Sequence, residues 1–401
     1  MQATASPAVA TRDRIDSIDI LRGIVMVIMA LDHVRDFFHA GAQSFNPEDL
    51  TRTTGILFFT RWITHFCAPV FVFLSGVSIH FMASRRDSLR TASRFLISRG
   101  LWLIFLELTV MNIGFSFNLS YQVVLLQVIW AFGWCMIAMA GLIHLPERAV
   151  LIFALAVIAL HNTLDGIRPQ QFGSLGWLWN ILHVPGILTV GSMRVFALYP
   201  LIPWVAVMAA GYCLGALYQW PAEQRRKTLL RTGGTATVAF FVLRYVNVYA
   251  DPLRWKIQST LTLTVASFFR VQKYPPSLDY LLMTLGPALI FLAVMDRVRV
   301  REANPFRVFG RVPMFYYVLH FYSIHALAVV LGGIRYGRWD FLWQLPPAAQ
   351  SAFPPGFPLD YGYSLSTVYL IWLSLVAALY FPCRWYMGMK QRSRSVWMSY
   401  L

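Results

Sequence analysis

The sequence predicts an all-α fold: a polytopic membrane bundle of about ten transmembrane helices. Three observations predict it. Of the 401 residues, 57% are hydrophobic and only 13% are charged, where soluble domains carry roughly 25% charged residues. So few charges could not cover a globule of this length, but a hydrocarbon layer of about 30 Å accepts helices of about 20 apolar residues. Apolar stretches of that kind run roughly over 18–38, 56–82, 100–117, 122–143, 149–164, 195–218, 233–250, 278–295, 311–332 and 364–383. Finally, the basic residues that give a formal charge of +16 are gathered in the short segments between these stretches. A nucleic-acid partner would need one basic face on a folded domain, so it is excluded.

Taken in order, the segments carry orientation signals. Residues 1–16 read as a polar cytoplasmic tail without a signal-peptide core, so the first helix is expected to act as the targeting signal. Arg12, Arg14 and Arg22 precede or open that helix, and Arg85, Arg86, Arg90, Arg94 and Arg99 follow the second. Arg225, Arg226, Lys227 and Arg231 follow the sixth, Arg297 to Arg311 the eighth, and Arg384, Lys390, Arg392 and Arg394 the last. With alternating helices all of these fall on one side, roughly two-thirds of the Lys and Arg, which makes that side cytoplasmic. The expected setting is therefore a bacterial inner membrane, with both termini in the cytoplasm and a basic tail from 387 to 401.

The opposite side receives 40–55, 165–194, 251–277 and 333–361, longer and rich in Pro, Gly, Trp and Tyr, such as Gly176-Trp177-Leu178-Trp179 and the prolines from Pro346 to Pro358. Aromatic rings favour the interface. The stretch 175–190 is too short to cross and is interrupted by Pro185 and Gly186, so it reads as re-entrant or interfacial. No fixed-period repeat is visible, which weakens a transporter built from inverted repeats. The four cysteines are far apart and read as small core residues.

Ionisable groups inside a bilayer are costly unless paired or bordering water, so those retained there are candidates for function. The first helix carries Asp32, His33, Arg35 and Asp36, with His39 just beyond. His33 and Asp36 share a helical face, and a carboxylate there could orient the imidazole as a general base. Equally, the group could be charges snorkelling at a helix end. His65 stands beside Pro69 and ahead of Gly76, and reads either as facing a cavity or as an interhelical hydrogen bond. Glu107 needs a partner from another helix. His161, His320 and His325 complete the set: five of the nine histidines (His33, His39, His65, His161, His325) fall in the outer half, with His320 near the middle. No ligand spacing makes a metal persuasive, and none is expected. Elbow, phosphate-loop and dinucleotide motifs are missing, so any catalysis must be built from side chains inside the bundle.

Five motifs carry a resemblance. They are Ser17-Ile18-Asp19-Ile20-Leu21-Arg22-Gly23-Ile24, the run His65 to Gly76, Tyr199-Pro200-Leu201-Ile202-Pro203-Trp204, Lys273-Tyr274-Pro275-Pro276-Ser277, and Gly310-Arg311-Val312-Pro313 with His320. In this order, over about 14–390, the chain resembles the bacterial membrane proteins grouped with the catalytic domain of heparan-α-glucosaminide N-acetyltransferase. The resemblance implies transfer of acetyl from cytosolic acetyl-CoA to a glycan or amino-sugar acceptor across the membrane. Arg22 and His33 also reproduce an Arg, ten residues, His spacing of related transmembrane acyltransferases. In the heparan enzyme the position matching His33 is Asn, and its catalytic His follows in the next loop, where His39 is the nearest match. The base is therefore His33 or His39, with Asp32 or Asp36 as orienter. Arg22, His65, His161, His320, His325 and Glu107 are expected to line the cavity, and Arg85, Arg86 and Arg311 to meet the anionic acyl-CoA. The rival readings are a small-metabolite or proton-coupled transporter and a member without catalysis; self-association is left open.

Overall fold

The computed structural model describes residues 15–343 and 357–393. It is a helical bundle, as the sequence predicts. In chain order, α1 spans Asp16–Phe38, α2 Gly55–Trp62, α3 Cys67–Ala83, α4 Leu89–Leu106, α5 Asn112–Ser116, α6 Val128–Leu142, α7 Glu147–Leu160 and α8 Gly176–Leu182. There follow α9 Leu201–Ala216, α10 Ala222–Val246, α11 Leu261–Phe269, α12 Leu278–Met295, α13 Pro305–Arg311, α14 Pro313–Tyr336 and α15 Leu365–Arg392. Among the described residues, seven helical runs are long and apolar enough to cross a bilayer: 55–83, 89–116, 147–164, 201–219, 278–295, 313–336 and 365–392. The other three expected crossings correspond to α1, which is too charged for that measure, α6, which is 15 residues long, and α10, whose first turns are polar.

Local chemistry sets the boundaries. Thr54, Ser88, Thr260, Ser277, Asn304 and Ser364 each accept a hydrogen bond from a backbone N–H in the first turn of the helix they precede, satisfying donors that the helix cannot. Pro313 opens α14 after the break at Val312, a position where its missing N–H costs nothing. The expected stretch 311–332 is thus two helices, the first starting at Pro305. The last helix runs on to Arg392, through the expected start of the basic tail, and Arg394, Arg12 and Arg14 lie outside the described residues, as do Pro346, Pro347, Pro354 and Pro355.

A small sheet departs from the all-helical reading. Strands β1 Val123–Leu126, β2 Gly186–Val190 and β3 Met193–Ala197 lie in the order β1–β3–β2, with β1 parallel and β2 antiparallel to β3. Their sequences sit within or beside apolar stretches, where four or five residues cannot distinguish strand from buried helix by periodicity. The expected interfacial piece 175–190 is α8 followed by β2. On the same side, the segment 251–277 folds around buried Arg244, which donates to the carbonyl oxygens of Phe268 and Leu253 at 2.7 Å each and of Ser267 at 3.1 Å.

The helix α1 is central, packed by α3, α12, α13, α14 and α15. Two glycine pairs make the closest crossings. A Cβ on Gly23 would stand 1.8 Å from the Phe306 carbonyl oxygen, and one on Gly310 1.8 Å from that of Asp19. Between α3 and α9, Gly76 and Gly211 play the same part, at 2.0 and 1.9 Å from Met208 and Phe73 oxygens. Small residues at such crossings let backbones touch where no hydrophobic force drives association.

Candidate active site

Two polar regions lie along α1. The first is at its start. Because Gly23 and Gly310 let α13 lie against α1, Asp19 holds two arginines: Arg22 Nη1 is 3.3 Å from Oδ1, and Arg311 Nε is 3.3 Å from Oδ2. Arg22 is further fixed by donating to the Gly310 carbonyl oxygen and to Ser78 Oγ, both at 3.1 Å. Beside them opens a cavity of about 640 Å³. Its polar wall includes Asp19, Arg22, Ser78, Arg85, Arg86 and Arg311, and its apolar wall Ile18, Phe81, Met82 and Tyr218. Arg86 also lies over the Phe95 ring at 4.6 Å. Four arginines from α1, the α3–α4 turn and α13 therefore share one chamber, and three of them are the residues the sequence assigned to acyl-CoA. A chamber cationic on one wall and apolar on the other fits a phosphorylated donor with an organic arm.

The second region is at the other end of α1. His33 Nδ1 lies 2.9 Å from His320 Nε2 on α14, 287 residues away in sequence. The two rings are nearly coplanar, 16° apart with centroids at 5.1 Å, as an in-plane N···N contact requires; the Tyr316 ring lies nearly parallel to His320 at 5.1 Å, and Phe321 meets His33 edge-on at 4.8 Å. His320 is fully buried, whereas His33 is partly exposed. The expected orienting carboxylates are engaged with arginines instead. Asp36 pairs with Arg35 at 2.5 Å, and Asp32 pairs with Arg35 at 2.9 Å and with Arg61 at 2.6 Å. The chain of charge continues from Arg61 Nε to Glu48 at 3.2 Å and from Glu48 to His65 Nε2 at 3.3 Å. His65 thus closes an ion network, and its Nδ1 is 2.9 Å from the Trp62 carbonyl oxygen. Burial alone would raise the Glu48 carboxyl, but the hydrogen bond to His65 and the charges of His65, Arg61 and Lys273 outweigh it and hold it at about 2.

Sequence reasoning missed Arg61 and Glu48. Arg61 carried a signal, a guanidinium inside the apolar run 56–82; Glu48, in a polar loop, carried none. The tyrosines of the central motifs gather nearby: the Tyr274 hydroxyl is 3.3 Å from that of Tyr199, and the Tyr280 hydroxyl donates to the His65 carbonyl oxygen at 2.9 Å.

His39, the other expected base, and the remaining expected cavity residues have backbone partners. His39 Nδ1 accepts the Gly41 N–H at 3.1 Å, so in the neutral ring the proton sits on Nε2 and no lone pair is spare. Burial, reinforced by Arg35, also lowers its basicity. His161 ties α7 to the turn before α12, its nitrogens 3.0 and 2.8 Å from the Val157 and Pro276 carbonyl oxygens. His325 is likewise 2.7 and 2.8 Å from those of Gly114 and Leu342, separated from His33 by Phe321 and Phe37. Glu107 accepts from the Trp130 N–H at 3.1 Å; its partner is the N-terminus of α6, where a carboxylate is favoured. These three hold elements together and stand apart from the imidazole pair. Among the described residues, no group of three or more His, Cys, Asp or Glu is placed to hold a metal ion.

Residues 14–246, more than half of the chain, match the model of the heparan-alpha-glucosaminide N-acetyltransferase catalytic family. The chain belongs to this family. No curated protein matches it. Membership in the heparan-alpha-glucosaminide N-acetyltransferase family makes it an acetyltransferase-like membrane protein. The matched part holds Arg22, His33 and the Arg85–Arg86 wall; His320 and Arg311 lie beyond it.

Proposed function

We propose that the chain is a membrane acyltransferase that takes an acetyl or similar acyl group from cytosolic acyl-CoA. It passes the group to an amine or hydroxyl of a glycan or amino sugar on the other side, in a bacterial inner membrane with both termini cytoplasmic. One observation carries the reading: α1 holds Arg22 in the arginine-lined chamber and His33 in the imidazole pair. They stand eleven positions apart on one continuous helix, roughly 16 Å at 1.5 Å per residue, a span suited to a pantetheine arm.

The roles follow from charge and lone pairs. Arg22, Arg85, Arg86 and Arg311 take the donor's phosphates by charge-assisted hydrogen bonds. The acceptor nitrogen or oxygen attacks the thioester carbonyl and loses its proton to His33; the carbon–sulfur bond breaks and the thiolate leaves with the coenzyme. His33 is chosen over His39 because the lone pair of His39 is already committed to Gly41. The network Asp32–Arg61–Glu48–His65 ties α1 to the segments that carry Glu48, Arg61 and His65 and holds the outer end of α1 in place.

The test is purified protein with radiolabelled acetyl-CoA and glucosamine, repeated with His33→Ala and His39→Ala. Label transfer should fall about 10²–10⁴-fold in the first variant and stay within about threefold of the parent in the second, which loses only a turn cap. Undiminished transfer in His33→Ala would remove the base. Glucosamine flux through proteoliposomes without acyl-CoA would favour a carrier instead.

A further inference from the structure

The reading above leaves His33 without the carboxylate that usually orients a histidine base. The ring pair supplies a substitute, which follows from counting protons. His320 Nδ1 lies 2.9 Å from the Tyr316 carbonyl oxygen. A carbonyl only accepts, so this nitrogen carries the proton. A neutral imidazole has one N–H, so His320 Nε2 then presents a lone pair. That lone pair is 2.9 Å from His33 Nδ1, and a hydrogen bond there requires His33 Nδ1 to be the donor. The other arrangement, with His320 donating from both nitrogens, would put an imidazolium in a fully buried ring whose hydrogen-bond partners are a carbonyl and another imidazole. A buried charge without a counter-ion is costly.

We infer that His320 is a positioning residue: it accepts the His33 Nδ1 proton, anchors the relay on the Tyr316 carbonyl, and so leaves His33 Nε2 as the bare nitrogen that takes the acceptor's proton. The inference rests on the acyl-transfer reading for its chemistry, but its core is a tautomer. The His33 and His320 rings are nearly coplanar, 16° apart, which aims the two nitrogens at each other as the relay needs; the Tyr316 ring lies nearly parallel to His320 at 13°, and Phe321 packs against His33 edge-on. Here a histidine does what a buried carboxylate does elsewhere, and it adds no negative charge beside an ion network that is already paired.

The experiment is nitrogen NMR of the full chain, labelled with ¹⁵N-histidine, in lipid nanodiscs at a pH where the rings are neutral. The His33 signals are identified by their loss in His33→Gln. The parent protein should show His33 with a protonated Nδ1 and a bare Nε2. His320→Phe keeps a planar ring in that place but removes the acceptor, so His33 should move toward the Nε2–H form. With acetyl-CoA and glucosamine, this variant should lose about 100-fold or more in kcat, with KM for acetyl-CoA within about twofold. His320→Gln restores an acceptor oxygen and should recover the tautomer, with kcat within about tenfold of the parent. A parent His33 protonated at Nε2, or a tautomer indifferent to His320→Phe, overturns the inference whatever the activity. The expected tautomers in a protein that never transfers label from acetyl-CoA would leave the ring pair standing and retire the acyl-transfer reading.

Discussion

The two ends of α1 use charge in opposite ways. At the start, Asp19 serves both Arg22 and Arg311, and Arg85 and Arg86 join them on the wall of a 640 Å³ chamber. Cations outnumber anions there, and the surplus faces open space. At the other end, Asp32, Asp36 and Glu48 are met by Arg35, Arg61 and His65 in a continuous network. Every carboxylate in that network has a guanidinium partner, as a low-dielectric site requires. The imidazole pair beside it is set among aromatic rings and takes no part in those ion pairs. Surplus charge marks where an anionic ligand is expected; paired charge marks a frame.

The comparison can be broken first at the frame. Glu48 is held at about 2, against an ordinary value near 4.5. A depressed carboxyl stabilises the fold fully above its unfolded value and loses that contribution as pH falls through the folded one. The expected loss is about 3 kcal/mol between roughly pH 4.5 and 2. Thermal midpoints of the parent and Glu48→Gln should therefore converge across that window, while the parent is clearly more stable at pH 7. Parallel curves would mean that the Glu48 carboxyl is not depressed in the folded protein.

Gly310→Ala sharpens the comparison at the other end. Its new methyl would meet the Asp19 carbonyl oxygen at 1.8 Å, so α13 must shift and Arg311 must leave Asp19. Overpacking of this kind costs about 1–3 kcal/mol, read as a lower thermal midpoint together with weaker acetyl-CoA binding. An unchanged midpoint would show that the crossing yields easily. The smallest expected effect is on the chamber wall: Arg85→Ala and Arg86→Ala should each raise KM for acetyl-CoA about tenfold and leave kcat in place. A fall in kcat with KM unchanged would move those arginines out of the donor site.

Much of the arginine-lined end was legible in the sequence, because its signals are local. The Asp19-x-x-Arg22-Gly23 opening and Gly310-Arg311 each fit within one turn or two, and the basic segments needed only to fall on the same side. The histidine end was legible by residue type but not by pairing. His33 and Asp36 share a helical face, yet the ring nitrogen turns to His320, a contact across 287 positions that no spacing rule reaches. His161, His325 and Glu107 were singled out for being polar in apolar runs; their partners proved to be backbone groups, which leave no trace in side-chain patterns. The small sheet was hidden for a related reason, since Val123–Leu126 is too short to show a period.

The central claim is that acyl-CoA enters beside Arg22 and that His33 completes the transfer at the far end of the same helix. The most direct measurement traps glucosamine inside sealed proteoliposomes of known protein orientation and adds radiolabelled acetyl-CoA outside, on the face that exposes Arg85 and Arg86. The account predicts label on the trapped sugar with the parent protein and at least about 100-fold less with His33→Ala. Equal labelling by the two proteins would contradict it, as would transfer only when acetyl-CoA is supplied from the opposite face.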